Sequence, residues 1–319
     1  MEEVDVEDTA IAQRLPNYKL EKSTIMKNTV FTVVAAFVLV TFFACNKDRI
    51  TGDTYESMDE FFDLNKVEEQ EFIINETDTA GPIVGNQGTE IYIGHRIFQY
   101  TNKPDDVTYP YILKLVELYQ YKDIIFYKMP TPHSSGALDN GGEIRVRAFK
   151  DAEELMLIPG SYLKTVFSSD ATASDMNPFQ GEAPGDVFSQ WNLASDGSVV
   201  LTNNSKYVYN TFTMGWLTPA KNRAASAKSD IKFEVKGTGG AYINLAICFK
   251  DFHCVLTGNN LVLEDVPVGE EATIVAMAKD QNGKFRLHQQ SLTTSANLTI
   301  DLDMKEVSES ELMGALEGL

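Results

Sequence analysis

The chain has 319 residues and a formal net charge of −19, and beyond residue 44 it carries 23 basic against 40 acidic side chains. So acidic a body excludes nucleic acid as a partner, because phosphates need a basic face. It also excludes charge-driven docking on anionic lipid. With 43% hydrophobic residues there is material for a core, and the length allows two or three domains.

Residues 1–25 open acidic (MEEVDVEDTA) and do not read as an export n-region, whereas Met26-Lys27-Asn28 does. A start at Met26 would give a compact signal. Residues 29–44 (TVFTVVAAFVLVTFFA) are uncharged and end on Cys45. A hydrocarbon core of roughly 30 Å takes about 20 helical residues. The stretch is therefore short for a span and suited to a signal h-region over residues 1–44. A diacylglyceryl thioether on Cys45, with a third chain on the new N-terminus, would anchor the protein durably. Residues 45–69 read as the lipidated cysteine followed by an acidic tether, with a short helix at 58–64.

From residue 70 the pattern turns to strands: 71–75, 89–94, 111–119, 123–129, 142–149 and 154–159 show alternation or short apolar runs. Gly81-Pro82, Gly85 to Gly88, Lys103 to Asp106 and Asp139 to Gly142 are turns between them. The fold class expected is all-β, with tandem β-sandwich domains. The first covers 70–169. Residues 170–227 read as a linker and aromatic hairpin region, the hairpin spanning 191–202. The second sandwich covers 228–319, with strands at 231–237, 241–249, 253–258, 261–267, 272–280, 284–292 and 296–302. Asp280 to Gly283 makes a hairpin turn there. Ser308 and Glu311 form a capping box opening a terminal helix, whose Leu312, Leu316 and Leu319 share one face.

Residues that could carry chemistry are few. His95, His133, His253 and His288 stand at no metal-ligand spacing, so no metal and no cofactor are expected. No nucleophile elbow, zinc-protease, phosphate-loop or dinucleotide motif occurs, so no catalytic residue is expected and the protein reads as a non-enzyme. Asp105-Asp106 and Asp139-Asn140-Glu143 offer oxygen ligands on loops, but their spacing favours turn chemistry over a cation cage. Cys248 and Cys254 flank a hairpin end. They can form a disulfide if the register faces them, and are two buried thiols otherwise. Trp191, Tyr207, Tyr209, Phe212 and Trp216 form an aromatic group that is core if buried and a binding surface if exposed.

Several of these stretches together resemble uncharacterised surface lipoproteins of Bacteroidetes-type bacteria. They are Gly88 to Ile93, the LKLVELY and DIIFYKMPT segments, Gly141 to Ala148, Gly215-Trp216-Leu217, Phe249-Lys250-Asp251 and Val266 to Glu270. In that family the first domain is similar to the sandwich of ankyrins and netrin receptors. The resemblance implies outer-membrane placement, facing the periplasm or the surface, and no established activity. It also makes Thr79, in Asp78-Thr79-Ala80, an O-glycosylation candidate. The expected role is an accessory or adhesive one, with the membrane held through Cys45 and envelope proteins or glycans as partners. The alternatives are a structural spacer in an envelope complex or a hydrolase whose site assembles in space.

Overall fold

Alternating burial builds most of the molecule. The computed structural model describes residues 55–133, 136–169, 173–183, 187–202, 204–223, 227–235 and 242–319. The strand Tyr111–Leu118 turns Leu113 and Leu115 to one face and Val116 and Leu118 to the other. The strand Ile243–Phe249 does the same with Leu245, Ile247 and Phe249 against Ala246 and Cys248. Successive side chains point to opposite faces of a sheet, so each strand feeds two cores.

The first sandwich packs an eleven-stranded sheet on a five-stranded one. The large sheet runs from Gln190–Leu193 through Asn177–Glu182, Gly215–Asn222, Glu143–Lys150 and Glu153–Leu157 to Phe98–Tyr100 and Lys103–Asp106. Tyr111–Leu118 pairs antiparallel with Glu143–Lys150, and Gln70–Ile74 with Tyr111–Leu118. The facing sheet holds Ser198–Leu201, Tyr207–Thr211, Leu163–Val166, Glu90–Tyr92 and Ile83–Val84. Leu113, Leu115, Ile144, Val146 and Leu217 meet Ile91, Leu163, Tyr207 and Tyr209 between them. Each such side chain taken from water stabilises the fold by roughly 1.5–3 kcal/mol before entropy is counted.

The second sandwich sets a three-stranded sheet (Val262–Pro267, Lys228–Val235, Thr299–Leu302) on a five-stranded one. The five strands are Val255–Gly258, Ile243–Phe249, Glu271–Lys279, Phe285–Thr293 and Lys305–Val307. The Asn282-Gly283 turn joins Glu271–Lys279 to Phe285–Thr293. Gly283 takes φ 77°, and the Asp280 carboxylate accepts the Asn282 and Lys284 amides.

A third core joins the two. The outer face of the large sheet (Val116, Leu118, Leu138, Phe179, Trp191, Trp216) and that of the second five-stranded sheet (Ala246, Cys248, Val275, Met277) enclose three short helices. Helix α1 (Met58–Asn65) contributes Phe61 and Phe62, α2 (Tyr121–Phe126) Ile124 to Phe126, and α3 (Glu309–Glu317) Leu312 and Leu316. Ser57 caps α1, its hydroxyl accepting the Glu60 amide. The α3 capping box forms as expected: the Ser308 hydroxyl accepts the Glu311 amide, and Glu311 accepts the Ser308 amide. Residues 55–319 cluster as one compact unit. Among the described residues no helix is long and apolar enough to cross a membrane.

The fold is all-β and sandwich-like with a short terminal helix, and four local expectations differ from it. Residues 123–129 are not a strand: Tyr121–Phe126 is helix α2, because Ile124, Ile125 and Phe126 are buried in succession and no alternation exists to choose a sheet. The 191–202 hairpin does not form. Gln190–Leu193 belongs to the eleven-stranded sheet and Ser198–Leu201 to the facing one, so the turn between them crosses the sandwich. The stretch read as a linker supplies strands to both sheets of the first sandwich. Finally, the short helix expected at 58–64 forms, as Met58–Asn65, but it is packed into a core rather than part of a tether, with Phe61 fully buried.

Candidate functional site

Two consecutive glycines mark a place where backbone, aromatic rings and buried polar groups from both sandwiches meet. A Cβ on Gly141 would stand 2.7 Å from the Tyr207 ring, and one on Gly142 would stand 2.2 Å from the Tyr119 ring. Gly142 also takes φ +99°, a region that side chains avoid. The turn that the sequence shows as Asp139 to Gly142 is therefore also a seat for two tyrosines.

These rings wall a cleft of about 430 Å³, within the usual range of small-molecule sites. One side is the first sandwich: Tyr119, Asp139, the two glycines, Ser168 and Ser169. The other is the Lys250–His253 turn of the second, with Tyr121 of α2 between. The tyrosine hydroxyls are all engaged inside the protein. Tyr119 pairs with the Thr89 hydroxyl at 2.7 Å and accepts the Ser168 amide, Tyr121 donates to the Phe249 carbonyl at 2.5 Å, and Tyr207 donates to the Ala173 carbonyl at 3.0 Å. What Tyr119 and Tyr121 leave for the cleft is ring surface.

Behind the wall runs a polar relay. The Asn140 side chain donates to Glu143 Oε1 at 3.2 Å, and its oxygen accepts the Gly142 amide at 2.9 Å. Those two bonds fix the amide's orientation, so the 2.6 Å contact between Asn140 Oδ1 and His253 Nδ1 has the imidazole as donor. The Asn140 backbone N–H donates to the His253 carbonyl, and the His253 backbone N–H to Asp139 Oδ1 at 3.2 Å. The Tyr121 ring stacks on the imidazole with centroids 4.7 Å apart.

Burial pulls His253 down to about 4, outweighing the Tyr119 carbonyl that favours its charged form, so the ring is neutral at pH 7. Burial pushes Asp139 up, opposed by the His253 amide and by Lys221 and Arg223. Glu143, with no exposed surface, is pushed well up by burial, and its Oε2 has no hydrogen-bond partner. His253 Nε2 is likewise buried without a partner. The imidazole thus pins the two sandwiches together rather than reaching into the cleft as a base.

The residues singled out from the sequence are scattered. Cys45 and the 29–44 segment lie outside the described residues. Thr79 sits in a 3-10 turn, Glu76–Ala80, its hydroxyl donating to the Glu76 carbonyl at 3.0 Å. Trp191, Tyr207, Tyr209 and Trp216 are core, so the group is not a surface; Phe212 alone is exposed, beside Tyr162. Alternation decides this, since Tyr207 and Tyr209 both face the first core. The disulfide does not form: Cys248 and Cys254 are free and buried. Cys248 pairs in register with Val255 and faces the shared core, whereas Cys254 faces the core of the second sandwich. Opposite faces of one sheet cannot be bridged.

Among the described residues no group of three or more His, Cys, Asp or Glu side chains is placed to hold a metal ion. Sequence reading missed Tyr119, Tyr121, Ser168, Ser169 and the role of His253. The available signals were Glu143, a carboxyl opening an apolar strand, and a histidine set between Phe252 and Cys254.

Comparison with family models, curated proteins and solved structures finds no match to this chain.

Proposed function

We propose that the chain is an envelope protein, held by lipid on Cys45, that binds a small ligand or the end of a larger one in the cleft between its sandwiches. The observation that carries the binding role is the cleft itself, walled by both sandwiches, with ring surface and polar groups converging on one space. Recognition by such a cleft replaces recognition by the aromatic group, four of whose five members are core.

The anchor rests on the uncharged 29–44 stretch ending at Cys45, and outer-membrane placement on the likeness to surface lipoproteins. Nine residues separate Cys45 from Tyr55. The ten steps from Cys45 to Tyr55, at roughly 3.3–3.6 Å each, reach about 36 Å at most. A lipidated chain would therefore hold Tyr55, where the described body begins, near the bilayer, where envelope proteins and glycans are at hand. A second reading, a structural spacer, is favoured by the shared core that locks the sandwiches into one body.

Two arms test the proposal. Cys45→Ala should move the protein from the membrane to the soluble fraction; retention of the variant in membranes contradicts the anchor. Asp251→Arg places a bulky cation at the exposed rim of the cleft. Wild-type protein should retain a component of solubilised envelopes that this variant loses. Equal retention contradicts the cleft and leaves the spacer.

A further inference from the structure

Two exposed apolar side chains meet at a second cleft, beside the residue where the described body begins. Leu64, near the end of α1, is 66% exposed, and Val187 is 70% exposed. Both line a space of about 730 Å³ whose other walls include Tyr127, Phe188 and Trp216. Apolar surface left to water in one place marks a contact site.

Charge sets this cleft apart from the rest of the body. Among the described residues its lining carries three acidic side chains (Asp63, Glu68, Glu69) and three basic ones (Lys66, Lys128, Arg145). The chain beyond residue 44 carries 40 acidic against 23 basic. The three bases are already matched: Lys66 pairs with Asp63 at 3.2 Å, Lys128 with Asp59 at 2.8 Å and Arg145 with Glu69 at 3.1 Å. The cleft therefore offers apolar contact without net charge. Lysines lay their stems along such surface and keep their heads in water. Leucine and valine with tryptophan, tyrosine and lysine around them are the side chains that suit a membrane–water boundary.

Position selects the occupant. The Asn65 side chain, next to Leu64, donates to the Tyr55 hydroxyl at 3.3 Å, and the Tyr55 ring meets Phe61 of the same helix edge-on. The Leu64 rim thus lies beside Tyr55, at most about 36 Å of chain from Cys45. Resting on the reading of Cys45 as a lipid anchor, we propose that this rim docks on the bilayer, with Leu64 and Val187 entering the acyl region and hydrocarbon reaching the Trp216 wall. The contact is apolar and does not draw on anionic headgroups.

Both tryptophans of the chain report on it. Trp216 lines the cleft, and Trp191 packs on its Phe188 with centroids 5.4 Å apart. The test is tryptophan fluorescence of the full-length lipidated protein in phosphatidylcholine vesicles, with and without bromine on the acyl chains, after flotation to recover the bound protein. Bromine quenches only at short range, so wild type should dim in brominated vesicles. Leu64→Gln combined with Val187→Asp should float equally and lose the quenching. Val187→Asp alone lies outside every helix and strand, leaves α1 untouched and should weaken it. Phe212→Asp, at the exposed Tyr162–Phe212 surface, should dim as wild type does.

Wild type that floats without dimming overturns the docking and leaves the anchor standing. Quenching undiminished in the Val187→Asp and double variants overturns it as well, and so does quenching lost in Phe212→Asp. Wild type that fails to float overturns the anchor and the docking together.

Discussion

Glu143 shows how a single side chain can be read in the sequence and still be misplaced. It opens an apolar strand after Gly141-Gly142, and by spacing it belongs to a turn. In the fold it has no exposed surface, one oxygen bonded to Asn140 and the other to nothing. Burial holds its carboxyl well above the usual range. The sign of the pH effect follows. A group raised on folding contributes fully below its unfolded value, about 4.3, and loses that contribution as pH rises toward the folded value. Asp123, raised to about 6 by burial, acts in the same direction. His253, lowered to about 4, acts oppositely: its contribution is present above about 6.5 and lost as pH falls toward 4. Glu143→Gln removes the cost of keeping a proton on the buried carboxyl. It should melt a few degrees higher than wild type at neutral pH and level with it near pH 4, as thermal denaturation followed by circular dichroism will show. A gap that widens toward acid contradicts the burial account.

Strands with clean alternation were legible because burial on one face writes a period of two into the sequence. Tyr111–Leu118 and Ile243–Phe249 are examples, and the Asn282-Gly283 turn and the Ser308–Glu311 box were equally plain, being local chemistry. Helix α2 was not legible. Three consecutive apolar residues suit a strand covered on both faces or a helix wedged into a core, and periodicity does not distinguish them. Nor was the break between Gln190–Leu193 and Ser198–Leu201, since a turn that crosses a sandwich uses the same small polar residues as one that closes a hairpin. Helix α1 carries the largest energetic consequence. Phe61 is fully buried and meets Tyr55, Phe126 and Phe285 edge-on or tilted, with centroids 5.0 to 5.8 Å apart. Phe61→Ala should cost about 3–5 kcal/mol, read from urea denaturation. Because its neighbours belong to both α2 and the second sandwich, the whole described body should unfold earlier in one transition. A tether residue would change nothing.

At the scale of the molecule, two sandwiches were legible and their union was not. Each core follows from alternation inside its own strands, whereas the shared core depends on which outer faces find each other and on where α1, α2 and α3 pack between them. The cleft is a product of that union. Its glycines, tyrosines and Asp139–Asn140 pair lie far in sequence from Lys250 to His253, and no motif links them. The account therefore turns on whether those separated segments meet a ligand together. Carbene footprinting of the purified full-length protein, with and without solubilised envelope material, measures this directly. The account predicts joint protection of residues 139–142 and 250–253, absent in Asp251→Arg. Protection confined to the exposed Tyr162–Phe212 surface, with the cleft segments unchanged, would contradict it.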